Sequence, residues 1–192
     1  PGAMGHSHLN NVADARDIAI GIVAPDGRDG MIQHAAQFAA AGTPFIFDPG
    51  QGLPMFGGED LRGFIEQASW VTVNDYEWSL MAERTGWTEA DVTKRVAALV
   101  VTHGGEGSTV FTADGKLDIP PAPARSVVDP TGCGDAYRAG LLHGLLHGLP
   151  WEKTARIASL LGSLKIESRG TQNHTFTQAQ FRQRYETLFG AM

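Results

Sequence analysis

Val127-Val128-Asp129-Pro130-Thr131-Gly132-Cys133-Gly134-Asp135-Ala136-Tyr137-Arg138-Ala139-Gly140 is the stretch on which the fold turns. Two β-branched residues read as the end of a strand. A Gly-rich turn follows, and then an apolar helix carrying Leu141, Leu142, Leu145 and Leu146. Gly132 and Gly134 lie in the turn, and a carboxylate, Asp135, stands at the helix start. A turn without Cβ atoms lets several N–H groups face outward together, and the helix N-terminus adds positive potential. Such a pocket suits a phosphate oxyanion. A carboxylate inside it would repel a resting anion, but it makes sense as a general base for a hydroxyl about to attack phosphorus. Taken alone, G-x-G-D is equally accounted for by an ordinary helix start, with Asp135 as charge partner of the helix dipole.

Working outward, Ile18–Val23 is a short apolar run ending at the turn Ala24-Pro25-Asp26-Gly27 and reads as a buried strand. From Gly30 to Ala41, Met31, Ala35, Phe38 and Ala39 recur at helical spacing, with Gly42 as C-cap. Pro44–Phe47, Trp70–Val73 and Ala98–Val101 are further strands, and helices are expected around Leu61–Ile65, Asp75–Arg84 and Glu89–Ala97. Helix and strand alternate, and the strands are continuous apolar runs. That predicts a parallel sheet covered on both faces, a three-layer α/β/α sandwich. Ser108–Thr112, Asp114-Gly115 and Lys116–Ile119 read as a β-hairpin. Pro120, Pro121 and Pro123 stiffen the approach to Val127, and helices over 134–147, 151–167 and 178–188 fill the C-terminal third. In such sheets ligands collect at the C-terminal ends of strands, which directs attention to the loops after Phe47, Val73, Val101 and Val128.

With 192 residues the chain is long enough for one domain with its own core. A net charge of −6 argues against nucleic acid or a membrane surface as partner. No apolar run is long enough to span a bilayer, and no signal segment opens the chain. A single cysteine, Cys133, cannot make an internal disulfide, which is compatible with the cytoplasm. Its place in the Gly-rich turn favours thiolate character.

Three other motifs have both a structural and a chemical reading. Thr102-His103-Gly104-Gly105-Glu106-Gly107 follows a strand, and a flexible lead into the hairpin explains it, with His103 incidental. Asn74 and Glu77 are spaced as an N-cap and its capping-box partner. His143 and His147 lie four apart, but without a third ligand they read as a helix-surface pair. Asp48–Phe56 reads as a turn-rich loop, and Ile157, Leu160, Leu161 and Leu164 as a core stripe.

Taken together, Asp129–Gly140 closely resembles the C-terminal signature of the ribokinase-like (PfkB-type) sugar and nucleoside kinases, D-T-x-G-A-G-D-x-F-x-A-G. Here Cys133 replaces Ala and Tyr137 replaces Phe. The resemblance implies the ribokinase-like fold, with Asp135 as catalytic base and the amides of Gly132, Cys133 and Gly134 as the anion hole. It implies ATP and Mg²⁺ as cofactors. Thr102, Gly104 and Gly107 match the V-T-x-G-x-x-G segment that contacts the nucleotide. Asn74 and Glu77 match the N-x-x-E motif, in which the Glu orders water around the metal. Ser159 stands where an Asn often meets the adenine, and Gly170 opens a loop whose carbonyls help hold a monovalent cation such as K⁺.

Asp48–Phe56, Asn74–Glu77 and Arg169–His174 are most similar to bacterial adenosine kinase-like members, which implies phosphorylation of the 5′-hydroxyl of adenosine. A sugar kinase acting on ribose or another carbohydrate is the alternative. The resemblance covers nearly all of residues 1–192 as one domain but only the C-terminal portion of a full-length member. The opening Pro1–Asn10 resembles a segment found partway through such kinases. The reading is therefore of a catalytic and nucleotide-binding part without the N-terminal strands and the lid, which in the whole protein often builds a homodimer contact. An inactive nucleotide-binding fragment is the remaining alternative.

Overall fold

A computed structural model describes residues 2–192, so that Pro1 lies outside the described residues. They divide into two compact units. The first runs to His103 and includes Thr109–Lys116; the second comprises Gly104–Ser108 and Leu117–Met192.

In the first unit, β1 (Gly21–Val23), β2 (Phe45–Phe47), β3 (Trp70–Asn74) and β4 (Ala98–Thr102) pair in parallel, in that order. Parallel neighbours need a crossover. The crossovers are α1 (Arg28–Ala41), α2 (Gly58–Gln67), and α3 (Asp75–Thr85) with α4 (Glu89–Thr93). Gly42 closes α1 with a left-handed φ of 66°, the C-cap expected from the sequence. Every residue of β2 is buried, as a strand covered on both faces requires. Phe47 stacks on Phe64 with ring centroids 4.5 Å apart, and Phe56 meets Phe64 edge-on at 4.9 Å. β5 (Ser108–Thr112) and β6 (Gly115–Ile119) continue the sheet order and are joined by two residues, which only a hairpin allows.

In the second unit, α5 (Cys133–Leu146), α6 (Trp151–Ile166) and α7 (Gln178–Phe189) follow the irregular segment 120–132. Tyr185 of α7 packs with Ile157 and Leu160 of α6 and with Ala122 in a core of their own. Arg184 fastens α7 to the end of α6 through Glu167, whose carboxyl is held below its ordinary range chiefly by that hydrogen bond.

Three expectations need correction. No strand precedes the Gly-rich turn: Val127 and Val128 are 76% and 54% exposed, and the N–H groups of Val128 and Asp129 both donate to Ile166 O instead of entering a ladder. β-branching reports a fit to a half-buried pleated surface, and here there is none to fit. The strand expected over 18–23 is confined to Gly21–Val23. The helix expected to reach Ala97 stops at Thr93, where Arg95 and Val96 N–H both turn back to Val92 O.

Candidate active site

In the second unit the Gly-rich turn is fixed before it reaches the helix. Asp129 Oδ1 accepts from Thr131 N–H at 2.9 Å and Oδ2 from Gly170 N–H at 2.8 Å. Those bonds, Gly170's first, hold the carboxyl down to about 2, so it stays ionised. Gly132 is the N-cap of α5, with φ 86°, and a Cβ there would press within 3.2 Å of Thr171. Both the backbone conformation and the neighbour call for glycine. Cys133 N–H donates to Pro130 O at 3.1 Å and closes the turn. Gly134 and Asp135 follow at positions whose N–H groups helix geometry leaves without an i−4 carbonyl. Asp135 is exposed in the first turn of α5. The Cys133 thiol is pushed up by burial, which reverses the thiolate character expected from its place in the turn.

What makes this turn more than a loop is the rigidity behind it. Tyr137, two residues past Asp135, is buried and donates to Ser108 Oγ at 2.7 Å. Gly140 and Gly144 let α5 lie directly on Ala158 and Thr154 of α6. Asp135 therefore projects from a helix held along its length.

The Gly104–Glu106 turn leads into Gly107, at φ 101°, where a Cβ would collide with Ile119 O. Gly107 thus has a structural reason beside the nucleotide contact the resemblance implies. Ser159 Oγ accepts from Ala122 N–H at 2.8 Å, so its hydroxyl is already engaged.

In the first unit, Asn74 and Thr102 are register partners at the C-terminal ends of β3 and β4, and buried Asp48 follows the end of β2. Polar residues at these strand ends are what an α/β ligand site uses. Asn74 and Glu77 form the full capping box: Glu77 N–H donates to Asn74 Oδ1 at 2.7 Å, and Asn74 N–H to Glu77 Oε2 at 2.9 Å. Only one carboxylate oxygen of Glu77 is committed, and the other can accept from water. Thr102 Oγ1 lies 3.4 Å from Val73 O. His103 pairs with Thr109 at 3.1 Å, in keeping with an incidental role.

Among the described residues, no group of three or more His, Cys, Asp or Glu gathers as a metal centre. Mg²⁺ keeps several waters and takes few protein carboxylates, so the uncommitted oxygen of Glu77 is compatible with a contact through water. His143 and His147 pair at the end of α5, with ring centroids 4.3 Å apart and planes tilted by 35°. No helix among the described residues is long and apolar enough to cross a membrane.

Sequence reasoning missed Lys165, Ser108 and Arg184. Lys165 alone left a readable trace: it falls seven residues after Ala158, on the core face of α6, where a charge is out of place.

Comparison with known proteins bears out the signature. Residues 7–178 match the family described as pfkB family carbohydrate kinase. A nucleoside kinase of Methanocaldococcus jannaschii is 37% identical over 140 residues, 73% of this chain and 46% of the relative. The nucleoside kinase of Burkholderia thailandensis, whose structure is solved in complex with inosine, is 51% identical. It superposes with a TM-score of 0.97 over 99% of this chain and 63% of its own. The structure of the Methanocaldococcus jannaschii nucleoside kinase, an archaeal member of the ribokinase family, gives a TM-score of 0.90 at 32% identity, covering 96% of this chain and 61% of that one. The chain thus spans less than two thirds of these relatives, and over that span its mostly parallel six-stranded sheet and flanking helices are the ribokinase-like α/β fold. On that footing the chain belongs to the PfkB family of carbohydrate kinases.

Proposed function

We propose that the intact protein is an ATP-dependent kinase that moves the γ-phosphoryl group onto the hydroxymethyl oxygen of a nucleoside. The observation that carries this reading is Asp135, exposed in the first turn of a clamped helix directly after a left-handed glycine. Its carboxylate takes the proton of the attacking hydroxyl. The N–H groups of Gly132 and Gly134 stabilise charge on the phosphoryl group in flight, joined by Cys133 N–H if it leaves Pro130. Thr102, Gly104, Gly107, Asn74 and Ser159 are assigned to ATP. Mg²⁺, when bound, neutralises phosphate charge, and Glu77 orients one of its waters. Holding the reactants in line supplies much of the rate.

Adenosine is the proposed acceptor. The 51% identical relative solved in complex with inosine supports a nucleoside, so both belong in the test. The cytoplasm, where ATP is available, is the proposed location. The deciding experiment measures ADP release from adenosine, inosine and ribose, with Asp135→Asn beside the unaltered protein. Expected is turnover of a nucleoside and a fall in kcat of at least about a hundredfold in the variant, with ATP affinity retained. Unchanged kcat removes Asp135 as the base. Turnover of ribose alone makes this a sugar kinase, and ATP binding without any turnover makes it a nucleotide-binding protein.

A further inference from the structure

Lys165 is completely buried, at 0% exposure, near the end of α6. An ammonium withdrawn from water is costly unless other oxygens replace its hydration. Here those oxygens are main-chain carbonyls: Nζ donates to Asp129 O at 2.6 Å and to Ser168 O at 3.3 Å. Asp129 is the residue on which the Gly-rich turn begins. Its N–H donates to Ile166 O at 3.1 Å, and its carboxylate accepts from Gly170 and Thr131. The N–H, the carbonyl and both carboxylate oxygens of Asp129 are thus all engaged. Three of these four go to the segment 165–170, and Lys165 supplies the only full charge among those three partners.

The resemblance implied that carbonyls of the loop beyond Gly170 help hold a monovalent cation. Two carbonyls at the foot of that loop, those of Asp129 and Ser168, already receive a side-chain cation. We infer that the Lys165 ammonium is a built-in cation that pins the Asp129–Asp135 turn to the end of α6, in place of a free ion such as K⁺. A compact ammonium with three donors suits a cluster of carbonyls, and tethered to the helix it is present at fixed effective concentration. Lys165 touches no reacting atom. It is a positioning residue that keeps the turn in shape while charge develops in front of it. Its effect on turnover rests on the kinase reading; the pinning itself does not.

The test uses the intact protein in chloride salts of K⁺, Na⁺ and tetramethylammonium at matched ionic strength, with and without Lys165→Met. Methionine keeps the buried stem but leaves room for about one atom beside the carbonyls. The unaltered protein is expected to turn over at the same rate in all three salts. Lys165→Met is expected to lose about tenfold or more in kcat in tetramethylammonium, a loss of about 1.4 kcal/mol in barrier terms, with KM nearly unchanged and most of the loss recovered by K⁺. Its unfolding temperature should rise with K⁺ specifically, while that of the unaltered protein should not. The salt comparison on the unaltered protein needs no variant, so it decides the matter even if Lys165→Met fails to fold. A rate that rises several-fold with K⁺ in the unaltered protein overturns the inference, as does a variant that K⁺ neither activates nor stabilises. If no acceptor is turned over, the kinase reading fails, and the K⁺-specific rise in the variant's unfolding temperature still decides the pinning.

Discussion

Tyr137 donates its phenolic proton to Ser108 Oγ at 2.7 Å, tying the first turns of α5 to the residue that follows Gly107. Both side chains are buried, and burial pushes the phenol up to about 12 despite the opposing effect of that bond. The family signature has Phe at this position, so the hydroxyl is an addition that must be matched. Tyr137→Phe leaves Ser108 without its partner and is expected to cost about 1–2 kcal/mol in urea unfolding. Ser108→Ala combined with it should cost less than the sum of the single changes. The sign of the pH effect follows from the raised value. Stability from the neutral phenol is complete below pH 10 and drains away as pH climbs toward 12, by roughly 2–3 kcal/mol at 1.36 per unit. An alkaline unfolding series on the two proteins checks this: Tyr137→Phe should lack that part of the decline.

Asp129 gives the opposite slope at the other end of the scale. Its carboxyl is held down to about 2 by Gly170 and Thr131 N–H, against an ordinary 3.8. The stability this supplies is present above pH 3.8 and is lost as pH falls through 2. Asp129→Asn offers one acceptor oxygen where two are needed and cannot carry the charge that faces Lys165. Circular dichroism from pH 5 to pH 2 should show a less stable variant at pH 5 and a shallower decline. Parallel curves would mean that the carboxylate contributes nothing to the fold.

The Gly-rich turn was legible in the sequence, and the structure around it only in part. Alternating apolar runs sufficed for the parallel strands, because β2 and its neighbours are buried on both faces and leave no period-two signature to misread. Gly42 and the Asn74–Glu77 box marked helix ends through chemistry local to a few residues. What stayed hidden depends on partners far along the chain. Val127 and Val128 look like a strand, yet their segment is anchored by one carbonyl near the end of α6. Lys165 looks like a surface charge until the Asp129 carbonyl is found above it. In the capping box Asn74 and Glu77 each satisfy the other's N–H at the helix start, so their local geometry is what a purely structural role would also produce.

Gly140 and Gly162 both lie inside helices and should respond oppositely to alanine. A Cβ on Gly140 would run into the backbone of Ala158, which cannot yield without parting α5 from α6. A Cβ on Gly162 would meet its nearest neighbour, Cys133 O, at 3.5 Å, an ordinary contact. Gly140→Ala is therefore expected to destabilise by about 1–3 kcal/mol. Gly162→Ala should stabilise by about 0.5–1 kcal/mol through helix propensity alone. Urea midpoints of the two variants decide it, and a loss at Gly162 equal to that at Gly140 would refute the close-packing account.

Gly132 separates a change in stability from a change in chemistry. At φ 86° an alanine is strained by roughly 1–3 kcal/mol, and its Cβ would also press on Thr171 within 3.2 Å. The turn can relieve that strain by rotating the peptides on either side of residue 132, which would swing the Gly132 and Cys133 N–H groups out of their present directions. A modest fall in unfolding temperature should then accompany a disproportionate fall in kcat, about tenfold or more, when activity is read well below that temperature. Such placement acts on the transferring group, so KM for the acceptor should barely move. Gly140→Ala supplies the comparison, because it costs similar stability without touching the turn. If Gly132→Ala loses stability but keeps its kcat, the amides of this turn are not the ones that receive the phosphoryl group.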